Sequence, residues 1–379
     1  MSSEQLQVLN NLAEVDAQQW NRLAGDNPFL RYEFLRNLER SGCVSIETGW
    51  APKHLTLHRD GELVAAMPLY LKTHSYGEYI FDWAWADAYH RHGLRYYPKL
   101  VSAVPFTPVT GMRLLTNEPA LQHRLCVEAL RLAQDSGASS LHVLFLPEDQ
   151  AAQLKSATFL SRDSVQFHWH NQDYENFGGF LAEMSHDKRK KIKQERRKLH
   201  DHGVCFEWLE GNDISEADWL FFGRCYRATY REHQSTPYLN LDFFLSIGRD
   251  MPEHLVLVKA WIADQPVAVA LNFKNGDRLF GRHWGSVGYI PGLHFETCYY
   301  QGIEYCIERK LKIFEGGVQG EHKLARGLLP VKTYSSHWLA HPQFSDAITD
   351  YLARESQGIE RYVDELNGMS PFKAKQSAK

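Results

Sequence analysis

The sequence contains no apolar run that approaches the roughly 18 residues needed to cross a membrane, so no membrane span is predicted. Its N-terminus, Met-Ser-Ser-Glu-Gln-Leu-Gln, lacks the basic and apolar regions of a signal peptide. The six cysteines include no Cys-x-x-Cys pair, which favours reduced thiols over a disulfide framework. Together these absences predict a cytoplasmic protein.

Several motifs of common enzymes are also missing. There is no Gly-x-Ser-x-Gly for a nucleophilic serine, and neither Gly-x-x-x-x-Gly-Lys-Ser/Thr nor Gly-x-Gly-x-x-Gly for a nucleotide. His-x-His pairs occur at 90/92, 168/170 and 200/202, but no third or fourth ligand accompanies them. Zinc needs three or four protein ligands, so no metal site is predicted.

The composition is that of an ordinary globular protein. The 379 residues suggest two domains, and 44% hydrophobic residues are enough for a substantial core. Lys and Arg number 42 against 46 Asp and Glu, which gives a net charge of 42 − 46 = −4. A nucleic acid or an anionic membrane would therefore need a local basic patch to bind.

A weak internal repeat predicts the domain organisation. Asp60-Gly-Glu-Leu-Val-Ala-Ala-Met aligns with Asp264-Gln-Pro-Val-Ala-Val-Ala-Leu, and each marks the turn and second strand of a hairpin. A long helix and a strand then follow in both halves: 118–135 with 141–146, and 293–309 with 311–318. This order predicts an α+β fold of two related domains, at 1–170 and 171–345. We expect a closing helix and a disordered tail in 346–379.

Other local signals predict two helices near the N-terminus and a long loop. The helices are expected over 14–24 and 28–40, the second starting at Asn27-Pro28. Residues 76–97, rich in aromatic and acidic side chains, are expected to form a loop. Asp82, Trp83 and Asp87 in this loop could line a substrate groove, with rings for apolar contact and carboxylates for an amine. The alternative is a packed connection.

The Gly-rich segment 314–330 is the best candidate site. Glycines let the backbone approach a ligand closely, and Glu315, Gln319, Glu321, His322, Lys323 and Arg326 lie among or next to them. Glu321 or His322 could take a proton from an attacking amine, while lysine and arginine could hold a phosphate or carboxylate. His283 and Trp284, on the strand before the helix, are expected to face the same region. The alternative is a loop of structural salt bridges.

A basic segment precedes the second half of the repeat. Residues 188–198 contain eight Lys or Arg, on a predicted helix with a thin apolar stripe. Such a helix could bind the phosphates of a nucleotide cofactor or of RNA. The alternative is a solvated helical face.

Several of these stretches resemble a bacterial family of predicted N-acyltransferases that is similar to the FemAB-type enzymes and, more distantly, to the GNAT acetyltransferases. The matching stretches are Phe81-Asp-Trp-Ala-Trp-Ala-Asp-Ala, Tyr96-Tyr-Pro-Lys-Leu, Val104-Pro-Phe-Thr-Pro-Val-Thr-Gly, Gly281-Arg-His-Trp-Gly, Leu293-His-Phe-Glu-Thr-Cys-Tyr-Tyr and Gln319-Gly-Glu-His-Lys-Leu-Ala-Arg-Gly. FemAB-type enzymes add amino acids to peptidoglycan precursors. The resemblance implies two tandem GNAT-like domains, each a mixed, mostly antiparallel sheet flanked by helices.

The resemblance and the residues together predict one set of site residues. The catalytic candidates are Glu321, His322 and His283. The substrate-binding candidates are Asp82, Trp83, Asp87, Tyr97, Trp284, Glu296, Glu315, Gln319, Lys323 and Arg326. Phosphate binding is predicted for Lys188, Arg189 and Lys191. Asp82 and Trp83 are expected to line an acceptor groove between the domains.

The predicted function is transfer of an acyl or aminoacyl group to an amine on a small molecule or peptide. The donor is either an acyl-CoA such as acetyl-CoA or an aminoacyl-tRNA. The pyrophosphate loop of GNAT acetyltransferases has no clean copy in this sequence, whereas aminoacyl-tRNA would suit the basic helix. The alternative function is a non-catalytic module that binds a peptide, a glycan or RNA on the same fold.

Overall fold

The chain forms two compact units in a computed structural model that describes residues 4–317 and 320–373. The first unit groups the chain up to Ser164 with Lys332–Glu360, and the second groups Val165–Val331 with the residues from Arg361 onward. The predicted domains, 1–170 and 171–345, are each continuous in sequence. The first unit differs from this division because it also contains the later segment Lys332–Glu360.

The strands follow one another along the described chain from the N-terminus onward. They are β1 (Glu4–Leu9), β2 (Trp50–Pro52), β3 (His54–Arg59), β4 (Glu62–Met67), β5 (Tyr70–Lys72), β6 (Lys99–Ser102), β7 (Ser140–Leu146), β8 (Leu160–His170), β9 (Val204–Glu210), β10 (Leu255–Ile262), β11 (Gln265–Lys274), β12 (Arg278–Ser286), β13 (Ile313–Glu315) and β14 (Leu329–Leu339).

The α-helices are α1 (Ala17–Ala24), α2 (Tyr32–Arg40), α3 (Trp83–Arg91), α4 (Pro119–Asp135), α5 (Glu148–Ser156), α6 (Phe177–Glu183), α7 (His186–Asp201), α8 (Glu216–Glu232), α9 (Leu241–Asp250), α10 (Leu293–Phe295), α11 (Gln301–Glu308) and α12 (Pro342–Gly368). A π-helical stretch, Glu296–Tyr300, joins α10 to α11. Short 3-10 helices cover Leu12–Glu14, Gly211–Asp213, Pro252–His254 and Glu321–Arg326. Among the described residues, no helix is both long and apolar enough to span a membrane.

Each unit has a mostly antiparallel sheet with one parallel pair. In the first unit, β6 runs parallel to β7, β5 and β14 flank this pair, and β1, β3 and β4 form a separate antiparallel sheet. In the second unit, β9, β10, β11 and β12 are antiparallel neighbours, and β12 runs parallel to β13. A helical crossover links each parallel pair, as parallel pairing requires. The predicted α+β class and sheet type are confirmed.

Amphipathic helices cover these sheets. In α4 the buried residues Leu121, Leu125, Ala129 and Ala133 recur every four positions, so they form one apolar face against the first unit's core. By contrast, α7 buries only Ile192 and Leu199 among its apolar side chains, and the rest of the helix is strongly polar. The first unit's core therefore covers a full face of α4, whereas α7 lies on the surface.

Three local predictions were wrong. The second helix starts at Tyr32, because Asn27 does not cap a helix there and instead bonds to the amide of Phe29. Residues 83–91 of the expected loop form α3, whose Trp85 and Tyr89 are buried four positions apart. The strand predicted over 311–318 is only three residues long and ends at Glu315.

Candidate active site

A cavity opens in the second unit where its parallel strand pair ends. β12 pairs with β13 only from Arg278 to Phe280, and β12 then continues to Ser286 after β13 has ended. A bulge at Arg282 shifts the register of β12 against β11 at this point. Bulges bend a strand and are frequent beside active sites. The separation of the strands leaves a cavity of ≈ 130 Å³.

Polar and aromatic side chains from several elements line this cavity, including Phe314 of β13. Asn272 comes from β11, and His283 and Trp284 come from β12 beyond the bulge. His294, Cys298 and Tyr299 come from the helical segment after β12. Its π-helical turn is of a kind that is frequent at functional sites. The two residues predicted on the strand, His283 and Trp284, therefore belong to one cavity.

The imidazoles of the cavity are uncharged at neutral pH. Burial lowers the pKa of His283 well below its usual value. Burial also lowers the pKa of His294 to about 4, and the nearby His322 adds to this effect. A neutral imidazole keeps a lone pair that can accept a proton or a hydrogen bond. The two rings can therefore accept hydrogen bonds in the cavity, while their burial disfavours full protonation.

His322 lies beside the cavity and contacts its wall. Its Nε2 is 3.1 Å from the hydroxyl oxygen of Tyr299, and its ring centroid is 6.3 Å from that of His294. Gly320 makes room for the ring, because its φ is +106° and a Cβ there would lie 2.3 Å from the imidazole. Burial lowers the pKa of His322, with help from the charges of Lys323 and Arg326. The ring remains exposed to solvent.

Glu321 occupies a different environment from its neighbour. Its carboxylate is exposed and accepts a hydrogen bond of 3.0 Å from the Tyr362 hydroxyl. It does not line the cavity. Of the two proton acceptors left open by the sequence, His322 is the one with a direct contact to a cavity residue.

Lys323 is buried next to the cavity. Only 5% of the residue is exposed, and burial lowers the pKa of its ammonium to about 8. The Cδ atom of Lys323 lies 3.6 Å from the position that a Cβ on Gly316, a residue of the cavity lining, would occupy. Within the part of the chain that the structure describes, no hydrogen bond from this ammonium is found. A buried positive charge of this kind is suited to a negative oxygen of a ligand or transition state.

Arg326 is engaged inside the protein. Its guanidinium donates to the backbone carbonyl of His322 at 2.8 Å and to Glu195 of α7 at 3.3 Å. It also stacks on the ring of Phe295 at 3.4 Å. Arg326 therefore joins α7 to the turn that carries His322. Its predicted role in substrate binding stays a prediction.

Glu296 and Glu315 are both buried. Glu296 accepts hydrogen bonds from Arg196 at 3.0 Å and from Gln301 at 2.9 Å, and burial raises its pKa. Glu315 accepts a hydrogen bond of 2.9 Å from Arg278. Burial raises the pKa of Glu315 to about 7 despite that partner. Neither carboxylate lines the cavity.

The raised pKa of Glu315 predicts a pH-dependent stability. A folded-state pKa above the unfolded value means that stability is fully present below about pH 4.5 and falls as pH rises towards 7. The slope would be up to about 1.4 kcal/mol per pH unit. Glu315→Gln should reduce this slope in urea denaturation measured from pH 4.5 to 7.5, and the remaining slope comes from other buried carboxyls such as Glu78, whose pKa burial also raises to about 7. The exposed Glu308→Gln is the matched control and should keep it. An unchanged slope in Glu315→Gln would contradict the assignment.

The first unit contains the buried candidate Asp82. Its carboxylate accepts a hydrogen bond of 2.6 Å from the Tyr96 hydroxyl and forms an ion pair with Lys99. Lys99 also donates to Glu78 at 2.8 Å. Burial alone would raise the pKa of Asp82, but the charge of Lys99 outweighs it and holds that pKa at about 2. Asp82 is therefore a charged member of an internal network.

The other candidates of the first unit are more accessible. Trp83 is 41% exposed, and its ring lies 5.0 Å from that of Tyr76. Asp87 is exposed and pairs with Arg91 one helical turn later at 3.0 Å. The half-buried Tyr97 has its hydroxyl 2.9 Å from that of Ser75. The groove predicted between the domains, and the binding roles of these residues, stay predictions.

The predicted phosphate-binding residues lie on α7. Of the three, only Arg189 lines a surface groove of ≈ 520 Å³, and Lys190, Lys193 and Arg197 line it as well. These positions recur every three or four residues and so share one face of the helix. Lys188 and Lys191 lie outside the groove lining. Gln319, predicted to bind substrate, lies outside the described residues.

The sequence-based site residues do not include His294, Tyr299 and Asn272. His294 and Tyr299 belong to Leu293-His-Phe-Glu-Thr-Cys-Tyr-Tyr, one of the stretches that carry the family resemblance. Three aromatic residues and a histidine within eight positions are a signal that could have pointed to them. In the described residues, no group of three or more His, Cys, Asp or Glu side chains is placed to hold a metal.

Comparison with solved structures shows that the fold is shared with other proteins. FemX matches with 10% identity and a TM-score of 0.54, over 88% of this chain and 98% of that chain. The C-terminal domain of a putative lysylphosphatidylglycerol synthetase from Agrobacterium fabrum matches with 11% identity and a TM-score of 0.54, over 90% and 96%. L-PGS from Bacillus licheniformis matches with 10% identity and a TM-score of 0.53, over 89% and 96%.

Sequence comparison gives the family. No curated protein matches the chain. One family model does, over residues 11–374, and this family is described by peptidoglycan biosynthesis and recognition. That match includes both units and every element of the cavity. The chain therefore belongs to the FemAB-like family.

Proposed function

We propose that the protein transfers an acyl or aminoacyl group from an activated donor to an amine, and that the cavity of the second unit is the reaction site. The observation that carries this proposal is the hydrogen-bonded pair of Tyr299, which lines the cavity, and His322, which reaches solvent. Acyl transfer to an amine releases one proton from nitrogen, and this pair offers it a route out of the site.

The proposed reaction has two steps. The amine nitrogen attacks the carbonyl carbon of the donor, a C–N bond forms, and the carbonyl electron pair moves to its oxygen. When the tetrahedral intermediate collapses, the bond to the donor's oxygen or sulfur breaks and that atom leaves with the electron pair. The surplus proton passes from nitrogen to the Tyr299 oxygen while the phenolic proton passes to His322 Nε2. His322 then releases it to water.

Lys323 is proposed to stabilise the oxyanion of this intermediate. Its side chain passes beside Gly316, its ammonium nitrogen lies 3.7 Å from where a Cβ on Gly317 would be, and burial makes an electrostatic interaction stronger than it would be in water. Its pKa of about 8 leaves most of the group protonated at neutral pH. Asn272, also in the lining, provides an uncharged amide donor.

The acceptor is proposed to be an amine of a small molecule or peptide, in keeping with the family's description by peptidoglycan. The donor is proposed to be either an acyl-CoA or an aminoacyl-tRNA. Both carry phosphates, so basic residues of the second unit suit either. The two differ in size and chemistry, which makes them separable by experiment.

A donor should stabilise the folded protein against heat. A ligand that binds only the native state adds about 2.7 kcal/mol at one hundred times its dissociation constant. We expect a higher melting temperature with acetyl-CoA, with longer acyl-CoAs or with a charged tRNA mixture, each compared with its uncharged or free form. Thermal unfolding followed by an assay for acyl transfer to small peptides is the measurement.

Each outcome of this panel has one meaning. A shift with CoA compounds favours an acyl-CoA donor, and a shift with charged tRNA alone favours aminoacyl-tRNA. Silence across the panel together with no transfer contradicts the proposed activity. This result would favour a non-catalytic module that binds a peptide, glycan or RNA. Such a module also fits the family, because its description includes recognition as well as biosynthesis.

A further inference from the structure

Helix α7 presents an uncompensated positive surface. Its residue Arg196 is paired with Glu296 and Glu304. Within the described part of the chain, the remaining seven Lys and Arg residues of 188–198 form no salt bridge. They are Lys188, Arg189, Lys190, Lys191, Lys193, Arg197 and Lys198. Because the whole chain has a net charge of −4, this surface is a local feature.

An exposed apolar loop lies beside the last turns of this helix. In the segment 287–292, which follows β12, Val287 is 61% exposed and Tyr289 is 91% exposed. The same loop is anchored on α7, because Ile290 packs in the cluster that contains Leu199. A Cβ on Gly292 would lie 3.9 Å from that leucine. The loop therefore holds its two apolar side chains outward next to a basic helix.

We propose that α7 and the loop 287–292 together bind an anionic lipid surface. The basic side chains would interact with the headgroups, since each Lys or Arg near an anionic membrane contributes to binding. Tyr289 and Val287 would enter the boundary between headgroups and acyl chains, where aromatic and aliphatic groups are stabilised.

The apolar loop is what distinguishes this partner from RNA. A single-stranded nucleic acid would use the positive charge and could stack a base on a tyrosine ring. An exposed valine adds nothing to such stacking, whereas burial of its side chain in a lipid interface is favourable. Of these two partners, only the membrane uses both the charge and the exposed apolar groups of the surface.

The test is co-sedimentation of the full chain with vesicles. We expect binding to vesicles of seven parts phosphatidylcholine to three parts phosphatidylglycerol, and none to phosphatidylcholine alone. Lys190→Gln with Lys193→Gln should weaken the partition coefficient by roughly 25-fold, at about fivefold per charge. The control is Lys155→Gln with Lys312→Gln, two exposed lysines outside α7, which should bind as the wild type does.

The loop is tested separately from the charge. Val287→Ser with Tyr289→Ser should weaken binding to the mixed vesicles by about tenfold. The control is Tyr351→Ser, at a tyrosine outside the loop that is 40% exposed, and this variant should bind the mixed vesicles as the wild type does. Absence of binding to anionic vesicles, or wild-type binding by the loop variant, would overturn the proposal. Binding of tRNA without binding of vesicles would also overturn it and assign the helix to RNA.

Discussion

Replacement of Lys99 by methionine is expected to lower the free energy of unfolding by about 3–5 kcal/mol. Lys99 is fully buried and contacts the carboxylates of Asp82 and Glu78. Methionine fills a similar volume but leaves both carboxylates buried without this positive partner. An unpaired buried charge costs far more than an exposed one, which water can still solvate.

The environment of Asp82 makes this cost difficult to avoid. The Tyr96 hydroxyl, which donates to Asp82, also lies 3.2 Å from Nε2 of His142. His142 in turn is hydrogen-bonded to His337 through their Nδ1 atoms at 2.7 Å. Burial lowers the pKa of His142 to about 3 and that of His337 well below its usual value. Both rings are therefore uncharged at neutral pH in the native protein, and their burial still disfavours a positive charge on them when the lysine is replaced.

Urea denaturation measures this loss, and amide hydrogen exchange of β6 assigns the transition to the first unit. Lys155→Met, at an exposed lysine, is the matched control and should leave the midpoint nearly unchanged. Asp82→Asn should also lower the free energy of unfolding. Because the side chains of Lys99 and Asp82 interact, the double variant Lys99→Met with Asp82→Asn should lose less of this free energy than the sum of the two single variants. A loss below about 1 kcal/mol for Lys99→Met would contradict the pairing.

Local signals predicted most of the fold. The turn at Asp60-Gly61 lies between β3 and β4 as expected, since glycine tolerates the φ of +89° found there. The repeated hairpins and crossover helices were readable because each depends on residues close in sequence. Helix α3 was missed although its three alanines favour a helix, because its aromatic residues were interpreted as the lining of a loop and the burial of Trp85 and Tyr89 depends on distant residues.

The site was only partly predictable for the same reason. His283, Trp284 and Lys323 were chosen from local chemistry, and the structure places all three in or beside one cavity. The engagement of Arg326 with Glu195 joins residues 131 positions apart and has no local signature. The contact of Tyr299 with His322 likewise depends on how the π-helical turn faces the 3-10 turn.

Loss of the proposed proton route should have the largest effect on activity. We expect His322→Ala and Tyr299→Phe each to lower kcat/KM for acyl transfer by about 10²–10⁴-fold, the usual range for removal of a general base. Because the two residues act in one route, the double variant should lose little more than either single one. His123→Ala, at an exposed histidine of α4, is the control and should keep wild-type activity.

The pH profile separates a catalytic role from a structural one. His322 must be uncharged to accept the proton, so kcat/KM should fall as pH drops through its pKa, which burial places below the usual value. In His322→Ala the remaining activity should lose this acid limb, whereas a variant that is merely misfolded would keep the profile at lower amplitude.

Glu321→Gln decides between the two bases predicted from sequence. Since Glu321 bonds to Tyr362 and does not line the cavity, we expect a small effect, and a loss as large as that of His322→Ala would move the base to Glu321.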